Sequence, residues 1–162
     1  MEKFYAMDRL DAVDLKLLRL LQENSRLTIK ELSEHVKLST TPVFERVKRL
    51  EREGYIRRYV ALLDAEKLHQ GITVFCSVRL VKLNYEIAEN FVQRVKSVPQ
   101  VAECYSISGE FDYLLKIYAP DMKYYHDFVL NVLGTFDNLG AINSMFVMNE
   151  IKYSMLPVPD AQ

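Results

Sequence analysis

Apolar positions in the first third of the chain return every three or four residues, in three short runs separated by polar turns. Val13, Leu17, Leu20 and Leu21 make the first run, which opens near Asp11 and stops at Asn24. Asp11 and Asp14 have capping-box spacing and Leu10 and Leu15 the spacing of a hydrophobic staple, so the pattern predicts a helix with one buried face. The second and third runs lie in LTIKELSEHVKLSTTPVFERVKRLEREG, residues 27–54. Thr28 and Glu31 repeat the capping-box spacing, with Leu27 and Leu32 placed to close over the first turn. Ser39, Thr40, Thr41 and Pro42 open the third run: the hydroxyls can accept orphan N–H groups, and proline is tolerated in a first turn. Gly54 is the expected residue just past its end. Two short helices joined by a tight turn cannot bury their apolar faces alone, and the first run supplies the third member.

After Gly54 the chain favours an extended form at Ile56, Tyr59 and Val60, while Arg57 and Arg58 bring charge beside the third helix. A winglike strand and a plain connector both fit this stretch. Residues 64–71 are polar, end in glycine and mark a linker. Beyond it the rhythm shifts towards alternation. Val74, Cys76, Val78 and Leu80 share one face of a strand, and Asn84 caps a helix striped by Ile87, Phe91, Val95 and Val98. Residues 101–108 and 113–118 read as strands around a loop of Gly109, Glu110, Phe111 and Asp112. Asp121 caps a second helix, with Tyr125, Phe128, Val132 and Leu133 on its apolar side, and residues 141–153 read as the last strand. The order β-α-β-β-α-β predicts a four-stranded antiparallel sheet with two helices on one face. Its other face, still rich in Phe, Val and Tyr, calls for burial in an oligomer. The fold class expected is therefore α+β. A helix-turn-helix, winged if the stretch after Gly54 forms its strand, is expected over residues 1–63, a linker over 64–71, and a ferredoxin-like αβ-sandwich over 72–162.

Composition sharpens this picture in one respect. With 49% apolar and 27% charged residues the chain is ordinary for a folded protein, but the net charge of −1 conceals an asymmetry. Residues 37–58 hold seven Lys or Arg against three Glu. Such an excess suits a phosphate backbone, where neutralised phosphates release counterions.

On a helical projection Val43, Val47 and Leu50 form one stripe, with Thr41, Glu45, Lys48, Arg49 and Arg52 opposite. Thr41, Glu45, Lys48 and Arg49 are candidates for base edges, and Ser39, Thr40 and Thr41 for phosphate at the positive end of the helix. Arg52, Arg57 and Arg58 suit backbone contacts. Arg46 lies on the border of the stripe, either a structural residue or a phosphate clamp. Glu45 either meets a cytosine amino group or pairs with Arg49 four residues on. The bland alternative for the whole face is a solvated basic helix.

Catalysis finds little support. His35, His69 and His126 stand in no motif, and no glycine pattern of a phosphate-binding loop occurs. Cys76 and Cys104 lack the spacing of a metal or redox pair and read as structural thiols. No apolar run approaches the ~18 residues of a membrane span and the first residues lack a signal-peptide core, so a cytoplasmic protein is expected.

The helix-turn-helix followed by βαββαβ, with LSTTPVFERVKRLEREGYI and later SGEFDYLLKI, resembles the leucine-responsive regulatory protein and asparagine-regulator (Lrp/AsnC, feast/famine) transcription factors. The likeness runs from about Leu10 to Pro157. It implies a homodimer, often assembled into tetramers, octamers or larger discs, that binds double-stranded DNA through paired winged helix-turn-helix units. It also implies a C-terminal module that dimerises and, in many members, senses amino acids between dimers; no other cofactor is expected.

A free amino acid presents an ammonium and a carboxylate, so its pocket needs an acidic or carbonyl acceptor facing N–H or hydroxyl donors. In the loop of Gly109 and Glu110, Asp112 could take the ammonium and Gly109 permit close approach, while Ser108, Asn143 or Ser144 hold the carboxylate. The alternative is a hairpin that needs Gly and Asp for its geometry. The rival function is an architectural, DNA-compacting protein of the same fold without an effector.

Overall fold

The computed structural model describes residues 10–153 and 157–159. The chain divides into two units between Leu62 and Leu63, and Lys152, Tyr153 and residues 157–159 group with the first unit. The sequence pattern had assigned those last residues to the second. Arg19 makes one such contact, donating to the Pro159 carbonyl at 2.7 Å.

The first unit holds α1 (Ala12–Glu23), α2 (Ile29–Val36) and α3 (Thr40–Arg52). Both capping boxes form. Asp11 accepts the Asp14 N–H at 2.9 Å and Asp14 accepts that of Asp11 at 3.1 Å. Thr28 and Glu31 exchange the equivalent pair at 3.2 and 2.7 Å. An eight-residue helix such as α2 is marginal alone in water and depends on its apolar face. Here Leu32 meets Leu17 and Leu21 of α1 and Val43, Val47 and Leu50 of α3 in one core, each fully buried leucine or valine contributing about 1.5–3 kcal/mol.

The turn between α2 and α3 is made by Lys37 in the left-handed region, φ 57°. This is an uncommon place for a residue with a Cβ, and no local pattern around Lys37 announces it. Past α3, Gly54 at φ 80° stops the helix, its N–H donating to the Glu51 carbonyl at 3.1 Å. The winglike strand does not form: residues 55–71 contain no strand. A ribbon needs a second strand for its backbone groups, and among the described residues none pairs with this segment. Instead Tyr59 ties it to α3, its hydroxyl donating to Glu51 at 2.9 Å.

The second unit runs β1 (Ile72–Leu80), α4 (Tyr85–Lys96), β2 (Val101–Ser106), β3 (Tyr113–Ala119), α5 (Met122–Asn131), a 3-10 turn (Leu133–Thr135) and β4 (Leu139–Phe146). The strands lie in the order β2-β3-β1-β4, all antiparallel. Asn84 and Asp121 cap the two helices, accepting the N–H groups of Ile87 and Tyr124 at 2.8 and 2.7 Å. Val74, Cys76, Val78 and Leu80 of β1 pack with Leu115 and Ile117 of β3 against Phe91, Val95, Tyr125 and Phe128 of the helices. Both helices therefore cover one face.

The final strand is shorter than its sequence suggested and stops at Phe146. Phe146 lies opposite Val74, so beyond Val147, whose N–H reaches the Thr73 carbonyl at 2.9 Å, β1 runs out and leaves no ladder to join. Among the described residues no helix is long and apolar enough to cross a membrane.

Candidate nucleic-acid interface

The tip of α3 is open. Ser39, Thr40 and Thr41 are all exposed, and the Ser39 side chain makes no capping hydrogen bond. Pro42 brings no N–H to the first turn, which leaves the amides before it as the donors of a positive helix end. Further along, Lys48 and Arg52 are exposed, as are Glu45, Arg57 and Arg58. Lys48 reaches Glu51 at 2.9 Å. That bond, with the one from Tyr59, holds the Glu51 carboxyl below its ordinary range. Burial and the Glu51 carboxylate together push the Tyr59 phenol up to about 12, so it stays protonated and fixes the segment carrying Arg57 and Arg58 beside the helix.

The other two arginines of α3 turn inward. Asp14, 1% exposed, sits on the apolar stripe of α1 and accepts from Arg46 at 2.8 Å and from Arg49 at 2.5 Å. Arg46 also reaches Asp11 at 2.7 Å. The bond to Asp14 is the chief reason the Arg46 guanidinium is held even more firmly protonated than usual. Burial acts to raise the Asp11 carboxyl, but the Asp14 N–H and Arg46 outweigh it and hold the group low.

Arg49 is thus not on the outward face where the projection placed it, nor paired with Glu45. Its Nε is buried without a hydrogen-bond partner among the described residues. A long side chain on the flank of a helix goes to the stronger charge, and a buried carboxylate needs a partner more than water needs a guanidinium. Arg46, whose role the sequence left open, takes the structural place. With these two arginines matched by Asp11 and Asp14, the free positive excess over residues 37–58 falls from +4 to +2. Sequence reasoning saw Asp14 only as a cap. The missed signal is its spacing with Leu17 and Leu21, which puts an acid in line with buried leucines.

In the second unit the loop residues gather and the strand residues do not. Asp112 closes the loop: its N–H donates to the Val78 carbonyl and its own carbonyl accepts from Ile107, both at 2.9 Å. One carboxylate oxygen accepts the Leu80 N–H at 2.8 Å. Gly109 takes φ 122°, a conformation that side chains resist. Glu110 lies 3.6 Å from Arg79, and Ser108 is exposed.

Asn143 and Ser144 are neighbours on β4 and point to opposite faces of the sheet. Asn143 is exposed and pairs with Ser77, while the Ser144 hydroxyl lies 2.6 Å from that of Tyr125 on the helix-covered side. Ser144 stands opposite Cys76, four residues from Leu80, or roughly 13 Å along the strand. Within one chain its hydroxyl is engaged by Tyr125 rather than turned to the loop. Both cysteines are free thiols, and no cluster of three metal-ligating side chains occurs among the described residues.

The model of the Lrp/AsnC ligand binding domain matches residues 73–157, and that of a winged helix-turn-helix DNA-binding domain matches residues 10–57. The chain belongs to the Lrp/AsnC family. It is 37% identical over 151 residues to the Bkd operon transcriptional regulator of Pseudomonas aeruginosa, spanning 93% of this chain and 99% of that one. It is 38% identical over 145 residues to the leucine-responsive regulatory protein of Escherichia coli, spanning 90% and 88%. The crystal structure of a Neisseria meningitidis transcriptional regulator in complex with L-Met superposes with a TM-score of 0.88 at 40% identity, covering 91% of this chain and 96% of that one. Lrp/AsnC proteins are DNA-binding transcriptional regulators rather than enzymes.

Proposed function

We propose that this Lrp/AsnC regulator works in the cytoplasm as a homo-oligomer that sets paired copies of α3 into successive major grooves, and that a free amino acid alters its hold on DNA. One observation carries the DNA part. Asp11 and Asp14 bind Arg46 and Arg49 and so fix α3 against α1, while the hydroxyl tip and Lys48 stay exposed. Ser39, Thr40 and Thr41 take phosphate at the helix end, Thr41, Glu45 and Lys48 face base edges, and Arg52, Arg57 and Arg58 set register on the backbone.

The uncovered sheet face supports pairing of copies. Phe75, Leu114, Tyr118 and Met145 lie on it around Lys116, whose ammonium is 3.4 Å from Glu103. An apolar surface interrupted by a satisfied ion pair is suited to a second, identical surface.

For the effector, support comes from two relatives, one named leucine-responsive and one crystallised with L-Met. Asp112, with one oxygen engaged by Leu80, has the other to offer an ammonium, and the Gly109 and Glu110 backbone lies open beside it. The test measures binding of full-length protein to its DNA target with each of the twenty amino acids, and assembly by sedimentation. At least one should change affinity or assembly, because an effector acts only through differential affinity for two states. No response to any of them would overturn sensing and leave an architectural, effector-free DNA binder.

A further inference from the structure

We propose that Phe44 reads the 5-methyl group of a thymine in the major groove; the inference rests on the DNA-binding reading above. Phe44 is the fifth residue of α3, within the half of a recognition helix that meets base edges. It is 44% exposed, although Val43 and Val47 beside it are in the core. A large ring nearly half exposed, on a helix whose apolar stripe is already complete, keeps part of its surface free to meet a partner.

Its surroundings decide what it can meet. One turn away lie the Thr41 hydroxyl and Lys48, whose ammonium is 5.9 Å from the ring centroid, and the adjoining residue is Glu45. A protein partner would need a broad apolar patch, and these neighbours are polar or charged. A duplex offers the matching combination: phosphates for the cation, and in the major groove a single kind of apolar group, the thymine methyl. An aromatic ring between a hydroxyl and an ammonium fits a methyl set among polar base edges.

The experiment uses full-length protein and a duplex enriched from a random pool. Each thymine is replaced singly by deoxyuridine, which removes the methyl and nothing else. Loss at one position per half-site should weaken wild-type binding about fourfold, the worth of one buried methyl. Phe44→Ala should bind the enriched duplex more weakly, be indifferent to that same replacement, and keep its affinity for random DNA and an unchanged circular dichroism spectrum. Phe44→Leu, still apolar, should keep part of the methyl preference. The proposal is overturned if wild type prefers the enriched duplex yet no thymine methyl matters. Phe44→Ala responding to deoxyuridine as wild type does, or losing random DNA equally, overturns it as well. Wild type that binds all duplexes alike would overturn both this proposal and the reading beneath it.

Discussion

Asp14 in the first turn of α1 accepts a hydrogen bond from Arg46 of α3 at 2.8 Å, joining side chains 32 residues apart in sequence. Because Asp14 is buried and also carries Arg49, it joins the first helix to the third by charge as well as by packing. Replacing it by alanine strands the partly shielded Arg49 guanidinium and leaves Arg46 with Asp11 alone. Asp14→Ala should destabilise the first unit by about 3 kcal/mol, the low end for a broken buried pair, since both arginines keep some access to water. Denaturant unfolding checks this, and a change under ~0.5 kcal/mol would show the pair to be ornamental.

Lys48 and Arg49 are adjacent in sequence and should behave as opposites. Lys48→Ala should leave stability within ~0.5 kcal/mol, because its Glu51 bond is exposed, while weakening DNA binding. Arg49→Ala should lower stability by roughly 1–3 kcal/mol, because one oxygen of buried Asp14 loses its donor while Arg46 keeps the other, with the salt dependence of binding unchanged. Melting curves beside DNA titrations at several salt concentrations separate the two. Arg49→Ala that melts like wild type yet loses a base preference would restore the outward reading of that residue.

The bond from Leu80 N–H to Asp112 makes a local prediction. Asp112→Ala removes the acceptor and should speed hydrogen exchange at Leu80, with a cost of about 1–2 kcal/mol to the second unit. Asp112→Asn keeps an oxygen for Leu80 and should restore that protection. If an ammonium also binds here, the amide would still abolish the amino-acid response; protection and response recovered together would remove Asp112 from the effector site.

Acid should loosen the first unit. Glu31 is held below its ordinary value of 4.5 by the Thr28 N–H and then its hydroxyl, and Glu51 by Lys48 and Tyr59. Each group is more acidic folded than unfolded. Each therefore favours the folded state above the ordinary carboxylate range, a contribution lost as pH falls through the folded value. Thermal midpoints should drop between about pH 5 and about pH 3, and Glu31→Gln should flatten part of that slope. Parallel slopes for the variant and wild type would show that the capping box does not titrate.

Much of the fold was legible because its signals are local. Asp11, Thr28, Asn84 and Asp121 each cap the helix that their spacing announced, since a cap needs only a neighbour three residues on. The alternation of β1 was equally plain, its four core residues being 0–5% exposed. What failed depended on partners distant in sequence. At Ile56, where strand and connector had both been open, the connector formed, and the last strand ended where β1 ended.

Three helices, then βαββαβ, and the hydroxyl tip and basic run of α3 could be read from the chain alone, because periodicity and caps act over a few residues. Which basic side chains remain outside was settled by packing between helices. A helical projection fixes the angle at which Arg49 leaves α3, but a long flexible stem on the flank can turn either way. The choice falls to what stands opposite, and that is Asp14, brought there by the folding of α1. The same holds for Asn143 and Ser144: adjacent in sequence, they are parted by the pleat and claimed by different sides of the sheet.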